Sequence, residues 1–140
     1  MIERILVGAE LFLAVGGLGG SVGVLTGAID FGSVTVDLPF QSPVLAGIAL
    51  GIANGLVPLL AAVGALRRAA WAPFAHLAVG TVLMGWIVVQ VGFIGLDSWL
   101  QPFYFAFGAL VTGLAVRSLL RQEPRRGAGL SASPAQAPRR

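Results

Sequence analysis

Glu10, His76, Arg117, Asn54, Gln90 and Tyr104 are the side chains of this sequence that carry chemistry inside otherwise apolar runs. A carboxylate beside an imidazole shares a proton with it or forms an ion pair, and a guanidinium would pair with the same carboxylate. The amides and the phenol can hold a ligand by hydrogen bonds. Helical spacing supports such a grouping. At about 100° per residue, Glu10 shares a face with Ala14, Gly17, Ser21 and Ala28, and His76 shares one with Gly80, Leu83, Ile87 and Gln90. Asn54 lies on the side of Gly47 and Gly51. Glu10 stands roughly 8 Å into its run at about 1.5 Å per residue. His76 enters at nearly the same depth, and Arg117 lies a turn from the end of the last run. We therefore expect Glu10 to bond His76 or Arg117 across a helix bundle. The plainer alternatives are a Glu10 that reaches for headgroups or favours the positive end of its own helix, and a His76 satisfied by interior neighbours.

The elements that must position these groups are long. The chain has 140 residues, 56% hydrophobic and 11% charged, against roughly 25% charged in ordinary soluble domains. A bilayer core about 30 Å thick needs roughly 20 apolar residues in a helix. Residues 5–29, 43–66, 71–95 and 102–120 meet that requirement, which predicts an all-α, polytopic four-transmembrane-helix bundle over 1–120. Pro43, Pro73 and Pro102 stand near helix starts, where a missing N–H costs little. An acid near a helix centre costs about 2.5–3.5 kcal/mol to insert, and the surrounding leucines, valines and phenylalanines offset that.

Arginine positions orient the bundle. All nine basic residues are arginine, a usage that fits a high-GC bacterial genome. Arg4, Arg67, Arg68, Arg117 and the tail fall on one side of a four-span arrangement, while Asp30, Asp37 and Asp97 fall on the other. The positive-inside rule then puts both termini in the cytoplasm, in a bacterial inner membrane. The same reading removes nucleic acid as the explanation for a pI near 11.1. The first run is too long for a signal peptide core of about 7–15 residues and reads as a retained helix. Residues 121–140, rich in Arg, Pro and Ala, read as a disordered cytoplasmic tail. The alternating "SVTVDL" reads as a short extended segment on the outer side.

Gly16, Gly20, Gly23 and Gly27 recur along the first run, and Gly47, Gly51 and Gly55 along the second. Small residues at such spacing let helix backbones approach in lipid, within one chain or between chains. Around the end of the third run, Trp86, Ser98, Trp99, Gln101 and Phe103 read as an aromatic belt or, with Gln90 and Tyr104, as a small pocket.

Reaction classes are narrowed by what the chain lacks. There is no cysteine and one histidine, so thiolate chemistry and multi-histidine metal centres are excluded. No HExxH, GxSxG or P-loop occurs, and the glycine doublets lack the strand a dinucleotide fingerprint needs. No catalytic residue, metal or cofactor is assigned. In layout over residues 1–120, and in "GWIVVQVGFIGLDSWLQP", the chain resembles small uncharacterised membrane proteins common in actinobacteria, and at architecture level it is similar to the DoxX-like group. That resemblance implies a four-helix membrane bundle; the redox association suggested for DoxX-like proteins has no cysteine here to serve it. The leading functional expectation is a non-catalytic accessory or assembly protein acting through helix packing, with the bilayer and a homo-oligomer or larger membrane complex as partners. The alternative is a binder or carrier of a small apolar ligand or of protons, through its intramembrane polar residues.

Overall fold

Four helices account for nearly all the described residues, and each contains a long apolar stretch. The computed structural model describes residues 1–29, 32, 41–96 and 98–130, the last nine as backbone only. Helix α1 spans Ile2–Leu25 and ends in a turn where Thr26 Oγ1 donates to the Val22 carbonyl at 2.8 Å and Gly27 takes φ +76°. Helix α2 spans Pro43–Leu66. Ser42 caps it, its Oγ accepting from the Leu45 N–H at 3.3 Å, with Pro43 in the first turn where its missing donor is not needed. Helix α3 spans Ala72–Ile94 and stops at Gly95, φ +71°. Helix α4 spans Leu100–Leu130.

Each helix contains a stretch long and apolar enough to cross a membrane: Ile2–Leu25, Pro43–Leu66, Ala72–Ile94 and Leu100–Arg121. Large apolar side chains also cover the outside of the bundle, among them Phe12, Val15, Phe74 and Val88. Water would penalise that surface at about 25 cal/mol per Å², whereas lipid accepts it.

The first run ends four residues earlier than composition implies, because Thr26 and Gly27 turn the chain away. The fourth runs further. Its backbone stays helical to Leu130, past the start of the tail expected at residue 121. "SLLRQE" contains good helix formers that carry the helix out of the apolar stretch. The rest of that tail, the "SVTVDL" segment and Asp30, Asp37 and Asp97 lie outside the described residues.

Consecutive helices are neighbours around the bundle, α1 along α2, α2 along α3, α3 closely along α4, and α4 more sparsely back to α1. Helices α1 and α3 therefore face each other across the diagonal. Every helix supplies the core: Leu6 and Leu13 from α1, Ala61 from α2, Val79 and Leu83 from α3, Val111 from α4.

One element departs from the plain helix. Gly51–Leu56, in the middle of α2, is π-helical, and the Val57 N–H bonds the Ile52 carbonyl five residues back. Pro58 explains the site of the irregularity, since it has no N–H for the Asn54 carbonyl and its ring crowds that carbonyl. The wider turn pushes the Asn54 backbone toward α1. A Cβ on Gly17 would lie within 2.3 Å of Asn54 O and C, so the approach exists only because position 17 is glycine.

The glycines that pack are partly those the spacing picked out. Gly47 meets Val24 and Leu25, Gly51 meets Ser21, Gly55 meets Leu18, and Gly20 meets Leu50. Gly16 has nothing nearer than the Tyr104 hydroxyl at 3.9 Å, Gly23 faces Ile29 of its own turn, and Gly27 lies beyond the helix. The α3–α4 seam rests on Gly80 and Gly108, each of which would place a Cβ against the other helix's backbone. These glycines join helices of one chain.

Candidate functional site

Glu10 is fully buried and His76 is nearly so. Both face the bundle because Leu6, Leu13, Ala14 and Gly17 share the Glu10 stripe of α1, and Ala72, Val79, Gly80 and Leu83 share the His76 stripe of α3. Across the diagonal, His76 Nδ1 lies 2.6 Å from Glu10 Oε1. With its proton on Nδ1, the ring donates to the carboxylate. A distance that short belongs to a charge-assisted bond. This side-chain hydrogen bond links α1 to α3. Glu10 Oε2 is buried with no partner.

Arg117 does not join the pair. It is exposed, and it follows buried Ala115 by two residues, about 200° around a helix with 3.6 residues per turn. The inward face of α4 at this level is Val111, Ala115 and, half-buried, Ser118. Of the two partners the sequence offered Glu10, the structure has His76.

Two cavities approach the pair from opposite ends. At the end that carries the arginines, a vestibule of about 680 Å³ is lined by residues including Glu3, Arg4, Arg68, Pro73, His76 and Ser118. His76, 3% exposed, lines this vestibule, and Glu10 does not. At the other end, a cavity of about 330 Å³ is lined by Leu13, Gly16, Gly17, Leu83 and Trp86, and by Asn54, Gln90, Gln101 and Tyr104. Between the two cavities stand Glu10, Val79 and Val111, with Leu13 and Leu83 forming the floor of the second cavity.

The cavity at the end away from the arginines gathers three of the polar residues picked out from sequence. Asn54 is buried, and its Nδ2 has no hydrogen-bond partner. It comes from the π-helical turn, which rotates this stretch of α2 relative to a regular helix. Gln90 and Tyr104 are half-buried at the rim. Gln101 was read only as part of the aromatic cluster, yet it is buried and ties the connection to α4, its Nε2 donating to the Gly95 carbonyl at 2.9 Å. Phe103 makes edge contacts with Trp99 and Tyr104 and stacks on Phe107, so the aromatic belt and the cavity wall are one structure. Thr112 Oγ1, the third buried polar atom without a partner, lies against Gly80 and lines neither cavity.

Pro58 and Ser118 were not singled out from sequence, Arg4 and Arg68 were given a topological role alone, and Gly17 was placed on the Glu10 face but not among the packing glycines. "NGLVP" in mid-run was the available signal for the first, because a proline inside an apolar segment marks an interrupted helix. The vestibule residues gave none, since an arginine at a helix end has a topological reason to be there. No cluster of three or more potential metal ligands occurs among the described residues. Comparison with protein-family models, with curated proteins and with solved structures finds no match.

Proposed function

We propose that this chain is a multi-pass protein of the bacterial cytoplasmic membrane, arginine-bearing end inward, that binds a small and mostly apolar molecule in the cavity beside Asn54. The molecule carries a hydrogen-bond acceptor, which meets the Asn54 amide. The observation that carries this reading is a cavity lined mainly by apolar side chains with Asn54 in its wall; the Asn54 Nδ2 is buried beside it without a hydrogen-bond partner, and rotation of the amide brings that donor to a ligand. A buried donor left unsatisfied costs about 1–3 kcal/mol, and a ligand acceptor recovers that. Filled with water alone, the cavity would hold about ten molecules at 30 Å³ each, most of them against leucine, isoleucine and glycine. An apolar ligand suits those walls better.

The entry route follows from the packing. Helices α1 and α4 touch sparsely, and the cavity is lined on that side by Gly16, Gly20, Leu100 and Tyr104. Gly16 and Leu100 are exposed. In a bilayer this opening faces lipid, where an apolar ligand partitions. The assembly reading is favoured less, because Gly47, Gly51, Gly55, Gly80 and Gly108 are already occupied by contacts inside the chain.

Trp86 in the cavity wall provides the assay. A bromoalkyl ketone, which has an acceptor oxygen and a heavy-atom quencher, should quench saturably in lipid nanodiscs. Asn54→Leu, similar in size and lacking the amide, should weaken binding about five- to tenfold, the worth of one net hydrogen bond of about 1 kcal/mol or slightly more. Linear, unsaturable quenching that is the same in both proteins would reject the site.

A further inference from the structure

The ligand reading leaves the Glu10–His76 pair without a task, and the geometry gives it one. We infer that the pair is a proton-binding site that exchanges at His76 Nε2, from the arginine-bearing end only, through the vestibule. This inference rests on the four-helix bundle and not on any ligand in the outer cavity.

The two ring nitrogens have different surroundings. Nδ1 is engaged by Glu10 at 2.6 Å. Nε2 makes no hydrogen bond to the described residues, and His76 lines the vestibule. A proton from vestibule water bonds to the lone pair of Nε2, giving an imidazolium beside the Glu10 carboxylate. When it leaves, the Nε2–H bond breaks back to water, and a neutral ring still donates through Nδ1. One proton enters and one leaves by the same route. The pair carries no net charge when loaded and one negative charge when unloaded.

The opposite route is shut. Glu10 lines neither cavity, and Leu13 and Leu83, both buried, separate it from the outer one. The rise from Glu10 to Leu13 is about one helical turn, so the septum is one turn thick and made of buried leucines. The charged groups facing the pair are few. Glu3 and Arg4 from α1 and Arg68 from the α2–α3 turn line the vestibule. Helix α2 presents no titratable group among the described residues, and Arg117 of α4 points away. Ionisable residues buried and paired inside membrane helices are where proton relays are built.

The single histidine makes the inference testable. Diethyl pyrocarbonate acylates a neutral imidazole nitrogen and also a free N-terminal amine, so mass analysis of the fragment that carries His76, after reaction in nanodiscs, reports His76 accessibility. The chain has no cysteine, so Ser118→Cys and Ser98→Cys place one bulky maleimide each, at the vestibule and at the other end. The expected result is one modification on His76, slowed as the solution is acidified because the proton competes for Nε2. A maleimide at position 118 should abolish most of that rate, and one at position 98 should leave it unchanged. If Ser118→Cys does not fold, exposed Arg68→Cys serves in its place. Modification seen only after denaturation, a rate indifferent to acid, or equal slowing by both labels would overturn the inference.

Discussion

Glu10 presents two oxygens to the bundle interior, and the bundle provides a partner for one. Its cost therefore depends on His76. Replacing His76 by leucine leaves a buried carboxylate bare, whereas Glu10→Gln keeps an acceptor for Nδ1. We expect His76→Leu to destabilise by about 3–5 kcal/mol, as removal of one partner of a buried pair does, and Glu10→Gln by much less. The double variant Glu10→Leu with His76→Leu should lose less than the sum of the single ones, with a coupling of about 1–2 kcal/mol. Thermal unfolding in one detergent measures the cycle; strict additivity would mean that the two side chains do not interact. This pairing was legible in outline, because an acid and an imidazole at similar depth on inward stripes have few other partners. The competing Arg117 was legible only as a residue type. Deciding which way it points required the inward register of α4, and glycines and alanines on several sides of that helix blur the register.

Helix α2 shows what periodicity cannot reveal. A hydrophobic run of its length reads as one regular helix, and the turn at Gly51–Leu56 changes no residue's polarity. Proline chemistry determines the irregularity. Pro58→Ala restores an N–H for the Asn54 carbonyl, and we expect it to raise stability by about 1 kcal/mol, the net worth of a hydrogen bond, while weakening quenching of Trp86 by the ketone probe. Unchanged probe binding would separate the turn from the cavity. The glycine stripe was legible as a stripe but one residue out of register at its tightest point. Gly17→Ala must displace the Asn54 backbone and should cost about 1–3 kcal/mol, as overpacking does. Gly16→Ala meets only the Tyr104 hydroxyl at 3.9 Å and should be near neutral. Equal losses at both positions would contradict the α1–α2 contact.

At the scale of the whole molecule, the four helices were readable because composition alone demands them; twenty apolar residues in a row have few other fates. The cavities were not readable, since each is made by side chains from at least three helices, and their volumes follow from packing rather than type. The orientation we propose makes a prediction of its own. In intact cells, an impermeant thiol reagent should label Ser98→Cys from outside and leave Ser118→Cys untouched until the membrane is opened; the reverse pattern would invert the bundle. The Glu10–His76 bond across the diagonal lies between the two cavities, beside Val79 and Val111. Nitrogen NMR of the chain labelled in its only histidine, in lipid bilayers, observes that bond without interference. We expect a hydrogen-bonded Nδ1 resonance that moves on Glu10→Gln and shifts to a free-imidazole position on Glu10→Leu. An Nδ1 resonance that is identical in all three proteins would contradict it.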